Sequence, residues 1–548
     1  MNDVFPAARR DHPPELEWEN PRVLLMWYFR GELRFFMEEG NVALSCAELG
    51  RDILVENILS SWSPPKEELL IAPNPTFRDQ ASSSFSLSFN SNEFDLNEIY
   101  EGTPCELSIV ADGIDLKNRM VIHRGAAENI QWESLGYVVS ADIMADALLD
   151  GGQVPLRVVT AVSWPTAPEA GLGYPYPVIY GSGLCTRVRC VPIKLNGEEV
   201  SNGRYYAVCD GWLPASATIT AEYWSTDNGK FVSLESKTPE FLTDNHGDKL
   251  TAIDILWNDV HVFLPDVISH DGSTPIFATV TWTRRNTDTI LGCVNDLLRR
   301  FSDLNAPFDF MSMALLPSML DQIEFDIQIT EKNPAEPLKI ISDRIFKQLQ
   351  LALKWDRGVL SAWGLPNELR AAGPDLGYPD NGIMRLITEP AHTSLEDLAN
   401  TWSIGWGRRH TGGNDANAIA SIYESTIPRN LLRSDSTGRA TRRFVMDNRN
   451  SASSRYAFGA KKIELSCPDL LEQRDVLGIA ERMSRWFAFP MWRLSVELDR
   501  RFIGIRTGQP VTVTIPDYGF DRAPFLVESF TPNPLGPQAT LWGGREIL

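Results

Sequence analysis

The stretch Ile323–Gly364 reads IEFDIQITEKNPAEPLKIISDRIFKQLQLALKWDRGVLSAWG, and its hydrophobic period changes twice. From Ile323 to Ile329 apolar and polar residues alternate, the two-residue period of a strand. Pro337 then stands near a first helical turn, where its missing N–H costs little. Leu338, Ile341, Ile345 and Leu349 follow along one helical face. The segment LALKWDRGVLSAWG returns to strand, turn, strand, with Asp356, Arg357 and Gly358 at the tip. Just upstream, TDTILGCVNDLLRRFSDL places Ile290, Val294, Leu297, Leu298 and Phe301 at helical spacing, with Thr287 or Asp288 as candidate N-cap. Helix, strand, helix, hairpin predicts a compact α+β unit.

On both sides of this unit the signal is β. PRVLLMWYFRGELRFFMEE reads as a hairpin turning at Arg30-Gly31-Glu32, and PCELSIVADGIDLKNRMVIHRG as another pair of strands. RVRCVPIKLNGEEVSNGRYYAVCDGW carries Asn196-Gly197 and Asn202-Gly203, and Asn228-Gly229 follows; all three dipeptides suit tight turns with positive φ. IFATVTWT, from Ile276 to Thr283, closes that region. After a Pro/Gly-rich stretch over 364–445, Val476, Ile479, Met483 and Trp486 fall on one helical face, then Trp492, Leu494, Val496 and Leu498 alternate. PVTVTIPDYGFDRAPFLVESF and ATLWGG complete a β-rich end. The expected fold is mainly β with α+β, multidomain, with several barrel-like or sandwich β-domains around a central α+β module. The expected division is 1–153 as N-terminal β-domain, 154–283 as a second β-domain, 284–445 as the α+β domain with a loop-rich insertion, and 446–548 as helix plus barrel-like domain.

Composition narrows the function classes. The 548 residues hold 51 Lys plus Arg against 72 Asp plus Glu, a formal net charge of −21. A general nucleic-acid-binding surface needs a basic footprint, which this balance opposes. The basic pair Arg442-Arg443 is too short to supply one. No apolar leader follows MNDVFPAARRDHPPELEWEN, and apolar runs such as Val23–Tyr28 are far shorter than a membrane span. Seven scattered cysteines make no disulfide framework. The expectation is a chain made in a reducing cytoplasm without a membrane anchor.

Motifs for chemistry are sparse. Phosphate loops, HExxH, paired CxxC and GxSxG elbows are missing from the sequence. Ser182, in YPYPVIYGSG (Tyr174–Gly183), lacks the glycine two positions earlier that a nucleophile elbow requires, so a turn is the better reading. That stretch reads as the corner that opens a β-domain, its tyrosines suited to an interface more than to catalysis. Cys185, Cys190 and Cys209 crowd into 25 residues, yet their spacing matches no zinc knuckle and a fourth ligand is lacking nearby; His270 or Asp210 would complete the set only through tertiary accident. Cys190 and Cys209 occupy strand-like positions, where cysteine acts as a small buried hydrophobe. His12, His123, His246, His261, His270, His392 and His410 show no metal-like pairing; His123 reads as half-buried strand packing, His246 and His270 as solvated turn residues. Glu93, Asp95 and Glu98 fit a surface loop as well as a carboxylate dyad. Sixteen tryptophans suggest a sugar platform, but Trp355, Trp363, Trp486 and Trp492 fall on the inward phase of their elements. No catalytic, cofactor-binding or metal residue is assigned, and no cofactor is expected.

Three passages carry a resemblance. They are YPVIYGSG with RVRCVPIKLNG and RYYAVCDGW; the opening stretch Ile323–Trp363; and DVLGIAERMSRWFAFPMWRLSVELDRRFIGIRTGQPVTVTIPDYG with FLVESF and TLWGG. In order and spacing they resemble the hub proteins of bacteriophage tail tips and baseplates. The 364–445 segment has no counterpart in that pattern, and the cysteine set that some tail-tip proteins use for an iron–sulfur cluster is not found. The resemblance implies a homotrimeric ring in the virion, at the distal end of the tail, assembled in the host cytoplasm. Each chain then offers two barrel-like domains, so that three imitate the sixfold tail tube. The implied partners are the distal tail protein ring, the tape-measure protein and central tip or fibre proteins, with DNA passing through without specific binding. A receptor- or glycan-binding tail protein and a tail-associated cell-wall hydrolase remain the alternatives.

Overall fold

In the computed structural model, Arg22–Phe29 pairs antiparallel with Glu32–Met37, with Trp27 opposite Arg34, as the hairpin pattern predicts. The structure describes residues 21–29, 32–38, 43–46, 51–57, 59–69, 71, 84–90, 101–111, 115–133, 138–144, 149–150, 152–154, 157–181, 186–195, 204–211, 213, 217–225, 230–234, 236, 238, 240–255, 276–282, 289–304, 308–309, 323–329, 335–356, 359–409, 432–434, 440–446, 449–467, 469–470 and 473–547. The tips at 30–31, 196–197, 202–203, 228–229 and 357–358, with Glu93, Asp95, Glu98, Ser182, Cys185, His12, His261, His270, His410, Thr287 and Asp288, lie outside them. The chain is mainly β, multidomain, with an α+β centre.

The first hairpin belongs to an eight-stranded sheet that also holds Pro104–Val110, Met120–Glu133, Val138–Met144 and Ser84–Asn90. Both of its faces are covered. Val23, Leu25 and Trp27 enter one core while Leu24 and Met26 enter another, which is why the strand reads as an unbroken apolar run. Burial on both faces leaves polar side chains little water. Glu106 is fully enclosed and accepts from Arg119 Nε, Arg124 Nε and Ser108 Oγ, each at 2.6 Å. His123, expected half-buried, is 1% exposed, with Nε2 3.1 Å from the Ile143 carbonyl.

The next body is a pair of four-stranded sheets. One orders Thr186–Arg189, Ile276–Thr281, Thr218–Ser225 and Lys230–Ser233; the other orders Val191–Leu195, Arg204–Asp210, Lys249–Ile255 and Glu240–Thr243. They face each other across Val188, Tyr206, Val208, Tyr223, Ile253 and Val280. The alternate residues of the second sheet, Ile193, Ala207 and Ala252, are covered by a flap over 157–177 that brings Val159, Trp164 and Tyr176. This is a sandwich with one outer face also buried.

The α+β centre starts at α1, Ile290–Phe301, whose N-cap is Thr289: its hydroxyl accepts the Gly292 N–H at 3.1 Å. All five predicted apolar positions of α1 are buried. The second helix, α2, runs through Pro337–Ile340, a π segment Ile341–Phe346, and Lys347–Leu349, and stops where Gln350 turns left-handed at φ +56°. Leu351–Asp356 and Val359–Gly364 form the predicted hairpin, joined in parallel by Phe308–Asp309. Two later helices are α3, Arg449–Phe458, and α4, Gln473–Phe487. On α4 Val476, Ile479, Met483 and Trp486 all enter the same large core as α1 and α2. Among the described residues no helix is long and apolar enough to cross a membrane.

The C-terminal sheet has seven strands, and two of them come from the stretch that reads as Pro/Gly-rich loop. Asp375–Gly377 pairs in parallel with Pro510–Ile515, and Ile383–His392 pairs antiparallel with Trp492–Leu498. A bridge between Gly377 and Gly382 brings the two ends of the sheet together into a barrel-like curl. Hydrogen bonding therefore crosses position 445/446. The strand 383–392 leaves little mark in the sequence because it lies at a sheet end, mostly exposed on both faces, contains Pro390 and pairs with residues a hundred or more positions later. Thr401–Arg409, also from the 364–445 stretch, runs parallel to Lys462–Cys467 and antiparallel to Ala440–Met446.

Candidate functional site

The tyrosine-rich corner Tyr174–Gly183 becomes the strand Val178–Gly181, and its alternation divides it between two cores. Val178 and Tyr180 pack into the central core with α1 and Phe325, while Ile179 packs into the sandwich. The strand's hydrogen bonds run antiparallel to Asp326–Ile329 of the α+β centre. At its start, the Pro177 carbonyl accepts the N–H of Asp210 from the sandwich. One strand thus belongs to two bodies, and beside it lies a cavity of about 380 Å³.

The cavity wall is half apolar, with Val178, Leu213, Trp282 and Phe325, and half polar, with charge from Asp210, Asp296, Arg299 and Arg300. Tyr180 Oη donates to Asp296 Oδ2 at 2.8 Å. Arg300, one turn further along α1, reaches Asp296 at 3.2 Å and the Asp210 carboxylate at 3.5 Å, and donates to the Asp210 carbonyl at 3.3 Å. Arg157, from the flap, pairs with the other Asp210 oxygen and holds Asp248 at 2.8 Å. Burial raises the Asp210 carboxyl above its ordinary value, and Arg157 and Arg300 only partly offset this.

This constellation is poor in catalytic power. A nucleophile needs a depressed pKa or an adjacent base. Here burial pushes the Cys209 thiol up to about 12, the Cys293 thiol well above its usual value, and the Tyr180 hydroxyl in the same direction. Among the described residues no histidine lines the cavity. Cys190 and Cys209 are buried, their thiols directed to the carbonyls of Val188 and Asp210. Among the described residues no group of three or more His, Cys, Asp or Glu is placed to hold a metal ion.

The tyrosines of the corner face inward. Tyr176 is fully buried, accepting from Trp164 Nε1 at 2.7 Å and donating to Asp244 at 3.0 Å, so it fastens the flap to the sandwich. His246 is exposed in its turn, and His392 stacks on Trp492 at 3.7 Å between ring centroids. Trp355 and Trp486 are buried, Trp363 and Trp492 partly so. A second cavity, about 620 Å³, separates the 351–364 hairpin from the barrel; its Lys354 donates to the Thr507 carbonyl at 2.8 Å, and Arg506 lies 3.5 Å from Asp356.

Outward-facing apolar side chains were not anticipated, because single exposed residues leave no periodic mark. The sandwich exposes Val158, Val162 (68%) and Phe241; the barrel strand and the turn after it expose Met384 (63%), Ile387 and Leu395. Apolar side chains exposed singly are ordinary on a protein surface.

No protein-family model and no curated protein matches the chain. Solved structures similar to it include the 43 kDa tail protein of prophage MuSo2 from Shewanella oneidensis, at 10% identity and TM-score 0.38, covering 96% of this chain and 98% of that one. A tail protein from Neisseria meningitidis MC58 is similar at 10% identity and TM-score 0.38, over 95% and 96% of the two chains. A chain from the virion of a native gene transfer agent particle is similar at 10% identity and TM-score 0.38, over 70% and 88%. At this identity and score the likeness carries no argument about what the chain does.

Proposed function

We propose that this chain is a structural hub of a bacteriophage tail tip or baseplate, present as a homotrimeric ring at the distal end of the tail. In that role it joins the distal tail protein ring and the tape-measure protein to the central tip or fibre proteins, and DNA leaves through it. The observation that carries the reading is the presence of two separate β bodies on one helical core, each with exposed apolar side chains. A closed ring of identical chains needs two unlike patches per chain, one meeting the other on the next copy. The three passages that carry the sequence resemblance supply the strand between cores, the α+β centre and the barrel. The net charge of −21 suits a wall that repels phosphate, since DNA then passes without counterion release onto basic side chains.

Mixing variants tests the ring. Val162→Glu with Phe241→Glu puts charge on the exposed apolar positions of the sandwich and its flap, and Met384→Glu with Ile387→Glu does the same on the barrel. Light scattering after size exclusion should show the wild type as a trimer and each variant alone as a monomer. Mixed, the two variants should form a dimer, because one intact junction survives between them. A monomeric wild type, or a variant that keeps the wild-type mass, overturns the arrangement. Antibody labelling of virions tests the location: decoration away from the tail end would remove the tail-tip assignment.

A further inference from the structure

We propose that the strand Val178–Gly181 is a hinge between the sandwich and the α+β centre, and that Arg300 is the catch that holds it closed. Packed interfaces between rigid bodies exclude voids, since interiors reach crystal-like density. Among the described residues this joint leaves a cavity of about 380 Å³ where α1 faces the sandwich. Beside the cavity the two bodies are linked by the shared strand, whose side chains are rooted in both cores, and by polar contacts from α1 to the sandwich.

The residues divide cleanly between the two sides. Tyr180 bonds Asp296 and moves with α1, whereas Arg157, Asp210 and Asp248 form a triad within the sandwich and its flap. Arg300 alone among these groups reaches from α1 to that triad, touching both the carboxylate and the carbonyl of Asp210. Its guanidinium also stays with Asp296 on its own helix, so release from Asp210 leaves the cation paired. Gly211, at φ +101°, follows Asp210 and lets the chain turn away immediately beyond the catch. Gly181 ends the strand, and a Cβ built there would stand 3.2 Å from the Phe325 carbonyl and 3.3 Å from the Trp282 ring, one from each body. Hinges are a few element-terminal residues that absorb backbone change while the bodies stay rigid. The inference rests on this joint and not on the proposed place in a tail.

Distance measurement between spin labels decides it. Labels at Glu169→Cys on the flap and Glu368→Cys beyond the hairpin, both exposed, report the angle between the bodies. Cys185→Ser is included, and the other cysteines described are buried. Wild type should give one narrow distance, and Arg300→Gln should raise a second, longer distance roughly tenfold in population, the effect of losing one charge-assisted contact. Arg299→Gln, an exposed neighbour on α1, should leave the distribution unchanged. An unchanged distribution in folded Arg300→Gln overturns the proposal. If that variant does not fold, raising the salt concentration on labelled wild type replaces it: Arg300 is 35% exposed and therefore open to screening. A longer distance appearing with salt supports the hinge, and a distribution that ignores salt rejects it.

Discussion

Gly508 has φ +79°, and a Cβ built there would stand 2.2 Å from Trp363 Nε1. Gly519 has a nearly identical φ of +73° but open space around it. The pair separates backbone strain from collision. An alanine at Gly519 costs only the left-handed conformation, about 1 kcal/mol. At Gly508 the same strain adds to a clash with a ring wedged between the hairpin and the barrel, bringing the loss to about 3 kcal/mol. Urea titration of Gly508→Ala and Gly519→Ala should therefore rank them in that order, with Gly508→Ala also shifting the indole emission of Trp363. Equal losses would mean that the hairpin moves aside freely. Neither glycine stands out in the sequence, because the left-handed turn is local but the tryptophan that makes it critical is 145 positions away.

Elements show how far periodicity reaches. The inward face of α4 was legible because its apolar residues recur at helical spacing whatever they pack against. The same is true of Leu338, Ile341, Ile345 and Leu349 on α2. What their spacing hides is the π segment: its wider turn carries Phe346 inward beside Ile345, so both are buried. Alternation in the strand Asp326–Ile329 does not tell which faces are covered: Asp326 and Gln328 are buried, and at the strand's edge the Asp469 carbonyl accepts the Asp326 N–H beside a bridge between Phe325 and Leu470. Asp469 is the tie that sequence cannot reveal. Its carboxylate accepts from Arg344 Nε at 3.0 Å and Gln348 Nε2 at 2.8 Å, and its own N–H donates to Gln348 Oε1 at 2.9 Å. Asp469→Ala removes the carboxylate that accepts from an arginine and an amide in a largely buried junction, at a cost of about 2 kcal/mol. Hydrogen exchange should accelerate at 326–329 and at the C-terminal end of α2, with the N-terminal sheet unaffected. Uniform acceleration throughout the chain would show that α2 is not locally held by this tie. The candidate site was legible in part: the corner at 174–183 was recognisable as unusual, but its tyrosines turn inward because their partners, Trp164, Asp244 and Asp296, come from three other segments.

At the scale of the whole molecule, acid should separate the bodies rather than unfold them together, because their buried titratable groups have opposite signs. In the N-terminal sheet His123 is held neutral: burial, only partly offset by the Ile143 carbonyl, lowers its pKa from 6.5 to about 4. The unfolded chain takes up that proton from about pH 6.5, whereas the folded sheet refuses it until about 4. Folding stability in this body thus falls across that window, by about 3 kcal/mol for the single group. Glu106 adds to the loss further down. Burial would raise its pKa, but Arg119 and Arg124 outweigh burial and lower it, so its contribution is present above about 4.5 and fades as the carboxylate protonates. The barrel behaves oppositely. Burial raises Glu528 despite its pairing with Arg493, so the folded barrel accepts a proton more readily than the unfolded chain and gains stability as pH falls towards that value. Hydrogen exchange corrected for intrinsic rate, followed from neutral pH to about 4.5, should lose protection first over 104–110 and 120–127 and keep it over 510–515 and 520–531. His123→Gln should flatten the early loss while leaving the barrel's behaviour unchanged. Simultaneous loss in both bodies would show that the contact of Ile503 with the N-terminal core, and of Glu67 with Phe530 and Thr507, couples them more tightly than their separate cores suggest.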